Sequence, residues 1–162
     1  MKKNLFLPAS LFGALLFSWP IQAHSQDLAK IIQTASGRLL DQSASTNQIQ
    51  NALLQLLDAA VLALPKSEHS GNARSAMQAA REELSKNAVL SQKGYEHLSV
   101  AYRALNSGKD FQFPEVSSME QAKAGIQERI AASVAGLKNA QAGLTSKLLL
   151  ECLIMVLTPI PR

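Results

Sequence analysis

From Asp27 onward, apolar residues recur every three or four positions, the spacing of one helical face. Leu28, Ile31, Ile32, Ala35 and Leu39 form the first such stripe, which predicts a helix ending near Asp41. The polar run Ser43 to Asn47 then breaks the pattern, and Ser45 or Thr46 is placed to cap the next helix. That helix carries Ile49, Leu53, Leu56, Leu57, Ala60, Val61 and Leu64 and stops at Pro65. Leu54 and Leu62 widen its stripe, so it is expected to sit centrally, touched on more than one side.

Lys66 to Asn72 reads as a loop between antiparallel helices. A third helix is predicted from Ala73 through Met77, Leu84, Leu90, Tyr95, Leu98 and Tyr102 to Leu105, with Ser91 and Gly94 as kink positions and Asn106-Ser107-Gly108 as its close. Lys109 to Ser117 is a non-helical connection that Phe111 and Phe113 pin to the bundle, and it is a candidate ligand-gripping loop. Ser117 or Ser118 with Glu120 and Gln121 resembles a capping box opening a long helix through Ile126, Ile130, Val134 and Leu144. On it Gly125, Gly136 and Gly143 recur at 11 and 7 residues, which puts them close to one line. Each glycine costs about 1 kcal/mol against alanine in a helix, so the line predicts a seam for a closely packed backbone, from the same chain or a second protomer. A last helix, Leu148 to Leu157, has Glu151 as its sole charged group. It reads either as a buried plug or as an exposed patch, through Leu148, Leu149 and Leu153, for a partner or a membrane surface.

The start of the chain follows a different logic. Lys2 and Lys3 precede an apolar stretch from Leu5 to Trp19, and Ile21-Gln22-Ala23 ends it, which is the order of a secretory signal peptide. Cleavage is expected after Ala23, or alternatively after Ser25, leaving one domain from residue 24 to 162 in the periplasm or outside the cell. The formal charge of +4 then matters less, because losing Lys2 and Lys3 leaves 14 basic residues against 12 acids. Those basic residues lie singly among acids, and Tyr95, Tyr102, Phe111 and Phe113 are the only aromatics left, so no nucleic-acid footprint is present.

Composition narrows the class further. Leu (25) and Ala (24) dominate while Gly (8) and Pro (6) are sparse, which favours helices over a sandwich or barrel. One cysteine excludes an internal disulfide and a Cys-based zinc or iron–sulfur site, and Cys152 is expected to be buried as a small hydrophobe. The histidines build no metal motif: Glu68-His69 and Glu96-His97 are adjacent pairs rather than the Glu-x-x-His of di-iron bundles. His24, at a new N-terminus, could chelate copper with its amino group, but such a site needs a further histidine and a β-sandwich setting, against which the helical character argues. No nucleophile elbow or phosphate-binding glycine loop occurs.

The sequence therefore predicts an all-α, up-and-down four-helix bundle with a short apolar C-terminal helix. The expected role is binding in the periplasm or envelope, with no catalysis and no cofactor, toward an envelope protein or a second copy. Its candidate surfaces are Gly125, Gly136 and Gly143, the loop with Phe111 and Phe113, and Leu148, Leu149 and Leu153. The alternative is a small-molecule or metal carrier using the bundle interior, with Tyr95, His97 and Tyr102 at its mouth.

Overall fold

The computed structural model describes residues 21–67, 70–86, 92–139 and 141–158, so the predicted signal peptide lies outside them except for its last three residues. Among the described residues there are six helices and no strand. They are α1 (Ile21–Leu40), α2 (Thr46–Ala63), α3 (Gly71–Lys86), α4 (Gln92–Leu105), α5 (Met119–Lys138) and α6 (Ala142–Leu157). The all-α expectation holds.

Local chemistry sets several boundaries. Ser45 caps α2 through a reciprocal box: the Gln48 N–H donates to Ser45 Oγ (3.3 Å), and the Ser45 N–H donates to Gln48 Oε1 (2.8 Å). Leu64, extended ahead of Pro65, ends it. Ser118 caps α5, while the Gln121 side chain reaches back one residue further, accepting from the N–H and hydroxyl of Ser117. At the end of α4 the Gly108 N–H donates to the Arg103 carbonyl (2.8 Å), and Ser107 takes the left-handed conformation that this closing turn requires (φ 51°).

Two departures from the sequence reading change the architecture. The expected helix from Ala73 to Leu105 is two helices, α3 and α4, which lie against each other in the most extensive helix–helix contact of the molecule. From Leu84 to Leu98 is 14 residues, about 40° short of four helical turns, a drift smaller than the width of an apolar stripe, so periodicity alone does not reveal the reversal. The expected long helix through Leu144 ends at Lys138, and its last turns belong instead to α6. The glycine line is broken accordingly: Gly125 and Gly136 are on α5, Gly143 is on α6.

α6 is the axis of the molecule. It packs against α2, α4 and α5, while α1 lies on α2 and α5, and α3 on α2 and α4. Leu149, Leu150, Cys152, Leu153 and Ile154 are fully buried. This corrects the interaction-surface reading for Leu149 and Leu153, whose side chains are spent on the core; Leu148 is half-buried. At about 24 Å, α6 is shorter than a bilayer core, and no helix among the described residues is long and apolar enough to cross a membrane.

Hydrogen bonds fix the register of this axis. The Thr145 hydroxyl donates to the Ser133 carbonyl of α5 (2.9 Å) and the Ser146 hydroxyl to the Ala60 carbonyl of α2, both fully buried. Thr145 and Ser146 therefore act inside the core, within a helix that begins at Ala142. No buried side-chain nitrogen or oxygen among the described residues lacks a partner, as a stable core demands.

The glycines differ in what they permit. A Cβ on Gly136 would lie 2.8 Å from Thr145 Oγ1, whereas one on Gly125 would meet Met155 Cε at 3.5 Å, an ordinary contact. Gly136→Ala is expected to destabilise the protein by about 1–3 kcal/mol by forcing α5 and α6 apart at the Thr145 bond. Gly125→Ala should be neutral or stabilising by up to about 1 kcal/mol. Urea unfolding of the two variants checks the contrast.

Candidate functional site

The helices around α6 leave one gap. α4 and α5 make no extensive contact with each other, although each packs on α6. Through that gap α6 shows Leu144, Lys147 and Glu151, three residues on one helical face. Lys147 and Glu151 are the only charged residues of α6, so the helix brings both its charges to the same opening.

Glu151 ties three elements together there. Arg129 Nε of α5 donates to its Oε2 at 2.8 Å, and the Tyr102 hydroxyl of α4 donates to its Oε1 at 3.1 Å. The ion pair is largely withdrawn from water, with 21% of the Arg129 and 12% of the Glu151 side chain exposed. Arg129 Nη1 also donates to the Gly125 carbonyl (3.1 Å). Removing either partner would strand a desolvated charge, so the pair constrains how the helices meet more than it adds stability.

The loop between α4 and α5 closes over this network. Phe111 stacks edge-on to Tyr102 (5.6 Å between centroids, 78°), and the Arg129 guanidinium lies 5.7 Å from the centre of the Phe111 ring. Phe113 stands edge-on to Phe111 at 4.9 Å and is 45% exposed. Lys147 Nζ sits 5.8 Å from the centre of the Tyr102 ring. Together Tyr102, Lys109, Phe111, Arg129, Lys147 and Glu151 line most of a surface cleft of about 520 Å³.

The sequence-predicted residues divide at this point. Phe111 and Phe113 lie in the loop that forms the cleft, as does Tyr102 in its wall. Tyr95 and His97 are half-buried on α4 and are not among the cleft residues. Gly125, Gly136 and Gly143 face neighbours of the same chain, respectively Met155, Thr145 and Pro65. The interior that a carrier would use is filled by α6. A second groove, about 330 Å³ between α1 and α5, is lined by residues such as Ser36, Leu40, Ile130 and Val134 and holds no ionisable group.

Sequence reasoning missed Arg129, Lys147 and Lys109. Their one available signal was the isolation of Lys147 and Glu151, four residues apart in an otherwise apolar helix. No group of three or more potential metal ligands occurs among the described residues. Cys152, buried against the Ile126 carbonyl (Sγ to O 3.8 Å), has its thiol pushed up to about 12 by burial, which keeps it protonated and a poor nucleophile. The chain matches no family model, no curated protein and no solved structure.

Burial, then the adjacent Glu151 charge, raise the Tyr102 phenol from 10.0 to about 12. The fold thus favours the protonated phenol, and that stabilisation is complete below pH 10 and is lost as pH rises through about 12. In an ultraviolet titration, the difference between the parent protein and Tyr102→Phe should show tyrosinate appearing only near pH 12.

Proposed function

We propose that this protein is exported through its first 23 residues and acts without catalysis as a helical-bundle binding protein of the periplasm or cell envelope. Its bundle is read as an up-and-down arrangement folded round α6, in keeping with the antiparallel pairing of α5 with α6 through Thr145–Ser133 and Arg129–Glu151. The binding element is the Tyr102–Phe111 cleft. One observation carries this reading: a non-helical loop places two stacked aromatic rings, one of them 45% exposed, over a desolvated ion pair at the only place where the axial helix brings its charges out.

The exposed Phe113 contributes little to the core, and its apolar surface supports a reading in which a partner or ligand covers the loop. The occupant is an envelope component, whether another protein, a second copy of this chain or a small molecule. Catalysis finds no support in the cleft: Tyr102 holds its proton, and Glu151 is committed to Arg129 and Tyr102.

The test is photo-crosslinking of the exported protein in its native host, with a photoreactive residue at position 113 or, as a control, at Gln78, exposed on α3. A discrete adduct at position 113 and none at position 78 is expected by mass spectrometry, on a chain that has lost its first 23 or 25 residues. Equal labelling at both positions, or none, would overturn the cleft as the binding element. A chain that retains its N-terminus would overturn export.

A further inference from the structure

The charge balance of the cleft specifies what it takes. Its two carboxylates are already occupied: Glu151 accepts from Arg129 and Tyr102, and Asp110 lies 3.5 Å from Arg103 Nε. Its cations are not all matched. Among the described residues neither Lys109 nor Lys147 has a carboxylate oxygen within 4.0 Å, and the Lys147 ammonium rests against the Tyr102 ring instead. The ring satisfies a cation only in part, and an anion in the cleft would be a stronger partner for a half-buried ammonium than it would be in open water.

Beside Asn106, Gly108 and Gln112, the uncharged lining includes two aromatic rings. Tyr102 and Phe111, held edge to face, give an apolar wall next to the Lys147 charge. A volume of about 520 Å³ lies in the range of small-molecule sites and suits a compact ring system better than an extended chain or a macromolecular segment. Doubly charged phosphates usually call on several converging donors, a bidentate arginine or a backbone nest. Here the one arginine is spent on Glu151 and on the Gly125 carbonyl, which leaves separate lysines suited to a single negative charge.

We propose that the Tyr102–Phe111–Lys147 cleft binds a small aromatic monocarboxylate, its ring against Tyr102 and Phe111 and its carboxylate at Lys147, with Lys109 at the rim. This rests on the reading of the cleft as the binding element and adds the chemical class of the ligand. Lys147 is the specificity-determining residue, because it stands beside the aromatic wall. Arg129 positions the wall through Phe111 and does not itself meet the carboxylate.

The experiment uses the full exported chain and two probes of nearly equal shape, 2-naphthoate and its neutral counterpart 2-naphthamide, titrated calorimetrically at low salt. Naphthoate is expected to bind about tenfold or more tightly than the amide, and to weaken as salt is raised. Lys147→Gln should weaken naphthoate by about tenfold and leave the amide unchanged; Lys147→Met, which keeps the apolar stem, serves if the first variant melts early. Equal affinity for both probes, both lost in Phe111→Ala, would overturn the carboxylate while keeping the cleft as a binding element. No binding of either probe at millimolar concentration would overturn the aromatic ligand, leaving crosslinking at position 113 to decide the cleft's role separately. Unchanged naphthoate binding in both lysine variants would overturn the assignment of Lys147.

Discussion

Everything in this fold depends on burying one helix on nearly all sides. α6 has two charged residues in sixteen, and an apolar helix of that kind has no stable place on a surface. Wrapping it requires α2, α4 and α5 as immediate neighbours, and α1 and α3 then fill the outer grooves between them. The hydrophobic term is non-directional, however, and does not say how α6 is rotated or how far it slides along its axis. Directional bonds do that. Thr145 and Ser146 reach carbonyls on two different helices, and a shift of α6 by one residue would leave both hydroxyls and their acceptors without the bonds seen here.

Lys147 and Glu151 set the rotation. An uncompensated charge in the core is far more costly than an exposed methyl group, so the face carrying these two residues must lie where water or a partner charge can reach it. The gap between α4 and α5 is that place. Glu151 then recruits Arg129 from one side and Tyr102 from the other, and Phe111 follows because Tyr102 and Arg129 together form the seat of its ring. The cleft is thus a consequence of how a mostly apolar helix accommodates its few charges. The same argument explains why the loop from α4 to α5 crosses here: it covers the apolar edges of a network that neither helix can cover alone.

Much of this was legible in the sequence and some was not, for identifiable reasons. The caps at Ser45 and Ser118 and the close at Asn106 to Gly108 were readable because capping is a local reaction between a side chain and backbone within three or four residues. The reversal between α3 and α4 was hidden, because the apolar stripe drifts by only about 40° across it, less than the stripe's own width. The three glycines looked like one line because helical geometry was carried through residues 139–141, where α5 has already ended. Phe111 was legible as a pinned aromatic in a loop. Its partners Arg129 and Lys147 were not, since a residue 18 or 36 positions away becomes a neighbour only through tertiary packing.

The burial of Cys152 and of Leu149 and Leu153 follows from the same wrapping. A lone thiol is open to oxidation if exposed, and here it is covered by Ile126 and by the helices that bury the rest of α6. The apolar side chains of α6 hold the helices together, so the apolar surface left over is concentrated in a few residues. Among them Phe113 differs from Ile31, Leu62 and Met119 in kind: it stands on a loop, in contact with a second ring that itself lines the cleft. Isolated exposed apolar residues on helices are normal for any protein of this size. An aromatic pair joined to a desolvated ion pair, next to two lysines with no carboxylate partner among the described residues, is a chemically specific surface, and the packing that buries α6 is what assembles it.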